Sequence, residues 1–232
     1  MKRLVLLLAA VAVLGLTACG GDGGQATSTG PLALDQRVVT EEDASNSKPD
    51  PVEKTVTVSG PDEFISKLGE SFVNPSPEDV AAFKSAGFVQ AIDDTRFLPL
   101  GMSTSHSPAN PHIHSTVMQF ESGDGAKTAE NIEHEDSLRP CPESCAASIE
   151  AFDVADIPGA LGTRRHASQE DIDATGDSKL HPFDEYEVVF TDGVFAYRVR
   201  LNGPPGSVSE DQAEDIAKSL YERVHGRPAT AA

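Results

Sequence analysis

Apolar residues recur at two spacings along this chain, and each spacing predicts a different element. In "FDEYEVVFTDGVFAYRVRL", Tyr186, Val188 and Phe190 alternate with polar neighbours, as do Phe195, Tyr197, Val199 and Leu201. A period of two puts each set on one face of a strand. Asp192-Gly193 between them is the type I′ turn signature, so the stretch reads as a β-hairpin. "HIHSTVMQF" (112–120) has the same period, with His114, Thr116, Met118 and Phe120 on one face and Ile113 and Val117 on the other. "KTVTVSG" (54–60) and "SIEAFDVADI" (148–157) are further strands. Ala213, Ile216, Ala217, Leu220 and Val224 instead recur at helical spacing. Ser209 with Gln212 forms a capping box before that helix, and Gly226 and Pro228 end it. "NPSPEDVAAFKSAGF" predicts a helix that begins at Ser76 and Pro77 and stops at Gly87. "PDEFISKLGESFV" (61–73) reads as a helix, and "AKTAENIEHEDSL" as a weaker one.

Strands in runs with flanking helices, and no βαβ repeat, predict an α+β fold built on an antiparallel sheet. Phe120-x-x-Gly123 and Phe190-x-x-Gly193 stand at similar distances from Gly87 and Gly159. One reading is a diverged duplication, with a first lobe over 51–145, a second over 146–227 and a disordered tail over 228–232. The other is ordinary turn chemistry after a strand.

The N-terminus follows neither spacing. Lys2 and Arg3 precede an apolar run, Leu4 to Leu16, that has signal-peptide length and is too short to cross a bilayer. It ends in Leu16-Thr17-Ala18-Cys19, which resembles the lipobox of bacterial lipoproteins. That resemblance implies a signal peptide over 1–18, cleavage before Cys19, diacylglycerol on its sulfur and a further acyl chain on the new amino group. Two or more chains hold a protein on a membrane where one does not. Residues 19–50 are rich in Gly, Ser, Thr, Asp and Pro and predict a flexible tether. The lipobox, the Ala/Asp-rich composition and the helix "SEDQAEDIAKSLYERV" together resemble the small PsbP-like domains of actinobacterial lipoproteins. The resemblance implies an exported protein on the outer face of the cytoplasmic membrane.

Charge narrows the partners. The chain has 18 basic and 37 acidic residues, a net −19. Loss of residues 1–18 removes Lys2 and Arg3 and leaves 16 basic residues, a net −21. Nucleic acid is disfavoured because its recognition needs a basic footprint. The membrane partner is reached through acyl chains rather than charge. Of three cysteines, Cys19 is assigned to lipid, and Cys141 and Cys145 form a local disulfide in an oxidising compartment. Their C-x-x-x-C spacing and the absence of a thioredoxin-like pattern disfavour a redox pair.

Candidate chemistry is sparse. His112 and His114 share a strand face on which two imidazoles can meet a metal, with His106 upstream and His134 in "EHE" as further ligands. The competing reading is a pair of half-buried structural histidines. "DIDATGDSK" places Asp171, Asp173, Thr175 and Gly176 as in the first half of a calcium loop, but Pro182 stands where the bidentate acid belongs. "GMSTSHS" brings Ser103, Ser105 and His106 together without the G-x-S-x-G context of a nucleophile. No cofactor motif is present. The expectation is therefore a non-catalytic envelope module that binds a small molecule, a lipid or an envelope protein through loops at 100–111 and 164–182. The alternative is a metal-assisted envelope hydrolase using His106, His112 and His114.

Overall fold

The computed structural model describes residues 30–50, 55–61, 63, 77–98, 110–140, 148–172 and 178–227. They form one eight-stranded antiparallel sheet with three helices, the predicted α+β class. The strands are β1 (Lys48–Pro49), β2 (Val56–Val58), β3 (Phe88–Phe97), β4 (His112–Phe120), β5 (Ser148–Asp153), β6 (Leu161–Ile172), β7 (Ser178–Asp192) and β8 (Phe195–Gly203). The helices are α1 (Pro77–Ser85), α2 (Gly123–Ser137) and α3 (Glu210–Val224). The strand order is β1-β3-β4-β8-β7-β6-β5, and β2 also pairs with β3.

The sheet runs unbroken from the first half of the chain to the second, because β4 pairs with β8 from His112↔Asn202 to Gln119↔Phe195. The two FxxG motifs do different work. Gly123 opens α2, whereas Gly193 sits in the β7–β8 turn. They are neighbours in space, since the Phe120 amide donates to the Val194 carbonyl at 2.9 Å. The turn itself differs from the expected one. Asp192 pairs with Phe195, so Gly193 and Val194 are its central residues, and only Gly193 has positive φ, at +61°. That is the glycine-first arrangement of a type II′ turn.

The first face of the sheet is apolar. Ile113, Val117, Val188, Phe190, Tyr197, Val199 and Leu201 belong to the core there, and α3 lies across it with all five predicted stripe residues buried. Ser209 caps α3 by accepting from the Gln212 amide at 3.2 Å. Phe190 stacks on Tyr197 with centroids 4.7 Å apart.

Residues 30–50, expected as part of the tether, are built into this face. Val38, Val39 and Ala44 join the core. Arg37 is fully buried, lies 3.9 Å over the Phe195 ring and donates to the Tyr197 hydroxyl at 2.8 Å. The Val39 amide donates to Ser115 Oγ at 2.9 Å, and Arg96 Nε donates to Ser47 Oγ at 2.9 Å. Arg223 of α3 holds the segment through Asp43 at 2.6 Å and the Val38 carbonyl at 2.7 Å. Polar composition predicted a coil here. The segment orders because its few apolar residues meet a preformed sheet and its backbone finds arginine donors.

The stretch 164–182, expected as a recognition loop, is mostly ladder. β6 and β7 pair as far as Ile172↔Ser178. Residues 167–172 extend beyond the last β5 partner, and 178–183 beyond the last β8 partner. The result is a two-stranded ribbon projecting past the sheet. Residues 64–76, which include most of the helix predicted over 61–73, lie outside the described residues, as does the 228–232 tail.

Candidate functional site

The second face of the sheet changes character along its strands. At the end nearest the β7–β8 turn, Phe88, Ala91, Met118, Phe120 and Ala196 pack against Phe83 of α1 and Ala126 and Ala129 of α2. The two helices approach closely because Gly125 allows it, a Cβ there falling 2.1 Å from the Ala86 carbonyl oxygen. Toward the opposite end the same face becomes polar and charged, in three rows that run across the strands.

The first row is Asp93, Thr116 and Arg198. Thr116 donates to Asp93 at 2.6 Å, and Arg198 donates to Thr116 at 3.3 Å and to Glu133 of α2 at 2.8 Å. The second row is Thr95, His114, Arg200, Glu187 and Thr163. The third is Phe97, His112, Asn202, Glu185 and Arg165. Arg165 pairs with Glu185 at 3.4 Å and donates to the Ser137 carbonyl at 2.8 Å, and Arg200 lies 3.9 Å from Glu185. Ser137 and Thr163 bond at 2.9 Å, tying the end of α2 to β6.

Burial sets the electrostatics. It raises Glu133 to about 7 against the opposing pull of Arg198. Burial also raises Glu187, again opposed by Arg198, Arg200 and Arg165. His114 is held well below its usual value by burial first, then by Arg200 and Arg198, so its ring is neutral at pH 7. Its Nδ1 lies 3.2 Å from the Thr95 hydroxyl. Of the acids on this face, Asp93, Glu133 and Glu185 have the partners given above. Glu187 is 5% exposed and, among the described residues, takes part in no hydrogen bond or ion pair.

His112 and His114 share this face as the alternation predicts, with ring centroids 6.4 Å apart. His112 Nε2 faces Asp50 at 3.4 Å. His134 does not join them. It lies 3.2 Å from Thr163 on β6, three strands from β4 and hence about 14 Å away across the sheet. Among the described residues no group of three or more His, Cys, Asp or Glu side chains is placed to hold a metal ion. The calcium-loop reading fails on backbone grounds, because Asp171 pairs with Lys179 in the β6–β7 ladder and Pro182 with Ser168. Cys19, Ser103, Ser105, His106, Cys141, Cys145 and Asp173 lie outside the described residues.

The sequence reading missed Thr95, Glu185, Glu187, Arg165 and Arg200. The signal was present in "EYEVVF" and "YRVRL", where charged residues alternate with the apolar set. Alternation alone assigns such residues to solvent. Here they are buried, and α2 packs against part of their face.

No family model matches the chain, and no curated protein matches it. Two solved structures from Mycobacterium tuberculosis align with it. The extracellular domain of PknH aligns with 13% identity and a TM-score of 0.49, covering 85% of this chain and 98% of that one. LpqN, described as involved in cell envelope biogenesis, aligns with 13% identity and a TM-score of 0.31, covering 56% of this chain and 68% of that one. No helix among the described residues is long and apolar enough to cross a membrane.

Proposed function

We propose that this protein is a non-catalytic binding module of the bacterial cell envelope, exported and held on the outer face of the cytoplasmic membrane by acyl chains on Cys19. Its binding surface is the polar half of the second sheet face, and its ligand is a small polar molecule rich in hydrogen-bond donors. The observation that carries this reading is Glu187, a buried carboxylate left without a partner in a layer whose other acids are paired. An unsatisfied buried acceptor costs about 1–3 kcal/mol, and more when charged. A ligand hydroxyl or amine placed there removes that cost. The lipobox carries the anchoring half of the proposal, and Cys141–Cys145 is proposed as its disulfide.

The metal-assisted hydrolase is the weaker reading. Arg198 and Arg200 oppose a cation beside His114, as they oppose its own protonation.

Native mass spectrometry of the full chain, purified from a bacterial host, tests the binding proposal. A discrete adduct on the wild type that is lost from Glu187→Gln supports it. A bare protein after incubation with envelope extract, or an adduct indifferent to Glu187→Gln, overturns this assignment of the site.

A further inference from the structure

The chain is fixed to the sheet in a direction. Arg37 lies at Phe195 and Tyr197, near the β7–β8 turn. Val39 follows at Ser115, midway along β4. Ser47 and Lys48 reach Arg96 and Phe97, at the opposite end of β3. The segment therefore enters at the turn end and runs to the far end. The last described residues of the chain are pinned at the same turn end, where Arg37 bonds the Arg227 carbonyl and His225 meets Asp192 at 3.0 Å.

This shortens the link to the anchor. The described chain starts at Gly30, and Leu32 and Leu34 already pack against the core. Eleven residue steps separate Cys19 from Gly30. Such a stretch spans less than about 40 Å when fully extended. As a Gly-rich coil it spans about 18 Å on average.

We propose that the turn end of the molecule is its membrane-facing surface, apposed to a lipid bilayer by this short link. The proposal rests on acylation of Cys19. The apposed surface comprises the β7–β8 turn, the first turn of α2 and the end of α3, with Asp124, Gly193 and His225 at its exposed positions. Val89, one of two large apolar side chains left exposed among the described residues, lies near this end beside Phe88. Acidic and basic groups are mixed there, and the mature chain is strongly acidic, so tether length rather than charge sets the contact. The polar rows with His112, Asn202 and Glu185 stand at the other end of the strands, about 26 Å away along β8. The β6–β7 ribbon projects about 20 Å further in the same direction. Both features consequently face away from the bilayer, into the space where an envelope ligand arrives.

The test uses the acylated full chain in phosphatidylcholine vesicles carrying a headgroup-linked energy acceptor. A clickable non-natural residue replaces His225 in one variant and Pro205 in another, and each receives the same donor dye. The spacing of about 26 Å makes transfer from position 225 roughly twofold or more above that from 205. Insertion of a Gly/Ser stretch of about 20 residues after Gly24 lengthens the link and abolishes the difference. Equal or reversed transfer in the unextended protein overturns the orientation. A Cys19→Ala variant separates the two readings. If it floats with vesicles as the wild type does, acylation fails and this proposal with it. If only the wild type floats but the two positions report alike, orientation alone fails.

Discussion

The two faces of one sheet are stabilised by opposite means. The first buries Phe190, Tyr197, Val199 and Leu201 under α3 and the 30–50 segment, with charges confined to its margins. The second buries Arg165, Arg198, Arg200, Glu185 and Glu187 within the same ladder, one residue out of register with those apolar positions. Each ion taken from water costs several kcal/mol, which pairing only partly offsets. A face designed for stability alone would carry leucine. The contrast teaches that the charged rows are retained for something other than stability, and that the apolar face carries the fold.

The largest expected effect follows from the segment that closes the apolar face. Deleting residues 30–50 strips Val38, Val39 and Ala44 from the core and removes Arg37 from Phe195. The deletion protein is expected to lose its cooperative thermal transition, whereas deletion of 20–29 leaves the transition in place. An unchanged transition after the longer deletion breaks the assignment of this segment to the core.

Single side chains sharpen the comparison. Leu220→Ala, at a fully buried position of α3, should cost about 2–5 kcal/mol in urea unfolding. Arg198→Met should cost about 3–5 kcal/mol, because it strands Glu133. Adding Glu133→Leu to Arg198→Met should recover most of that loss, since a buried pair replaced by apolar groups is often neutral or stabilising. No second substitution rescues Leu220→Ala in this way. Failure of the double variant to recover would show that the pair itself contributes net stability.

The pH dependence separates the faces more gently. Glu133 takes up a proton near pH 7 in the folded protein and near pH 4.5 when unfolded. Between those values the folded state binds more protons, so its contribution to stability is lost as pH rises. Glu133→Gln should flatten this fall in a series of unfolding curves, and a slope unchanged by the substitution counts against it. The smallest effect belongs to a cap: Ser209→Ala removes the bond to the Gln212 amide and should cost about 1 kcal/mol.

Much of the fold is legible in the spacing of apolar residues. Alternation locates β4, β7 and β8, and it puts His114 with Thr116, Met118 and Phe120 because a strand has period two whatever surrounds it. The 3.6-residue stripe and the Ser209 cap locate α3 to the residue. What alternation does not report is whether the polar side meets water. Glu185 and Glu187 look like solvent-facing residues until α2 and the neighbouring strands are in place. The two glycine motifs mislead for a related reason: Phe-x-x-Gly describes a strand end, and the element that follows depends on what the sheet offers next.

The sequence by itself determined the element types, the α3 stripe and the lipobox, since each follows from local geometry or a contiguous motif. Only the tertiary structure decided that residues 30–50 belong to the core, that the two halves share one sheet through β4 and β8, and that a charged layer is buried. Those facts depend on contacts between residues far apart in the chain, and no local periodicity encodes them.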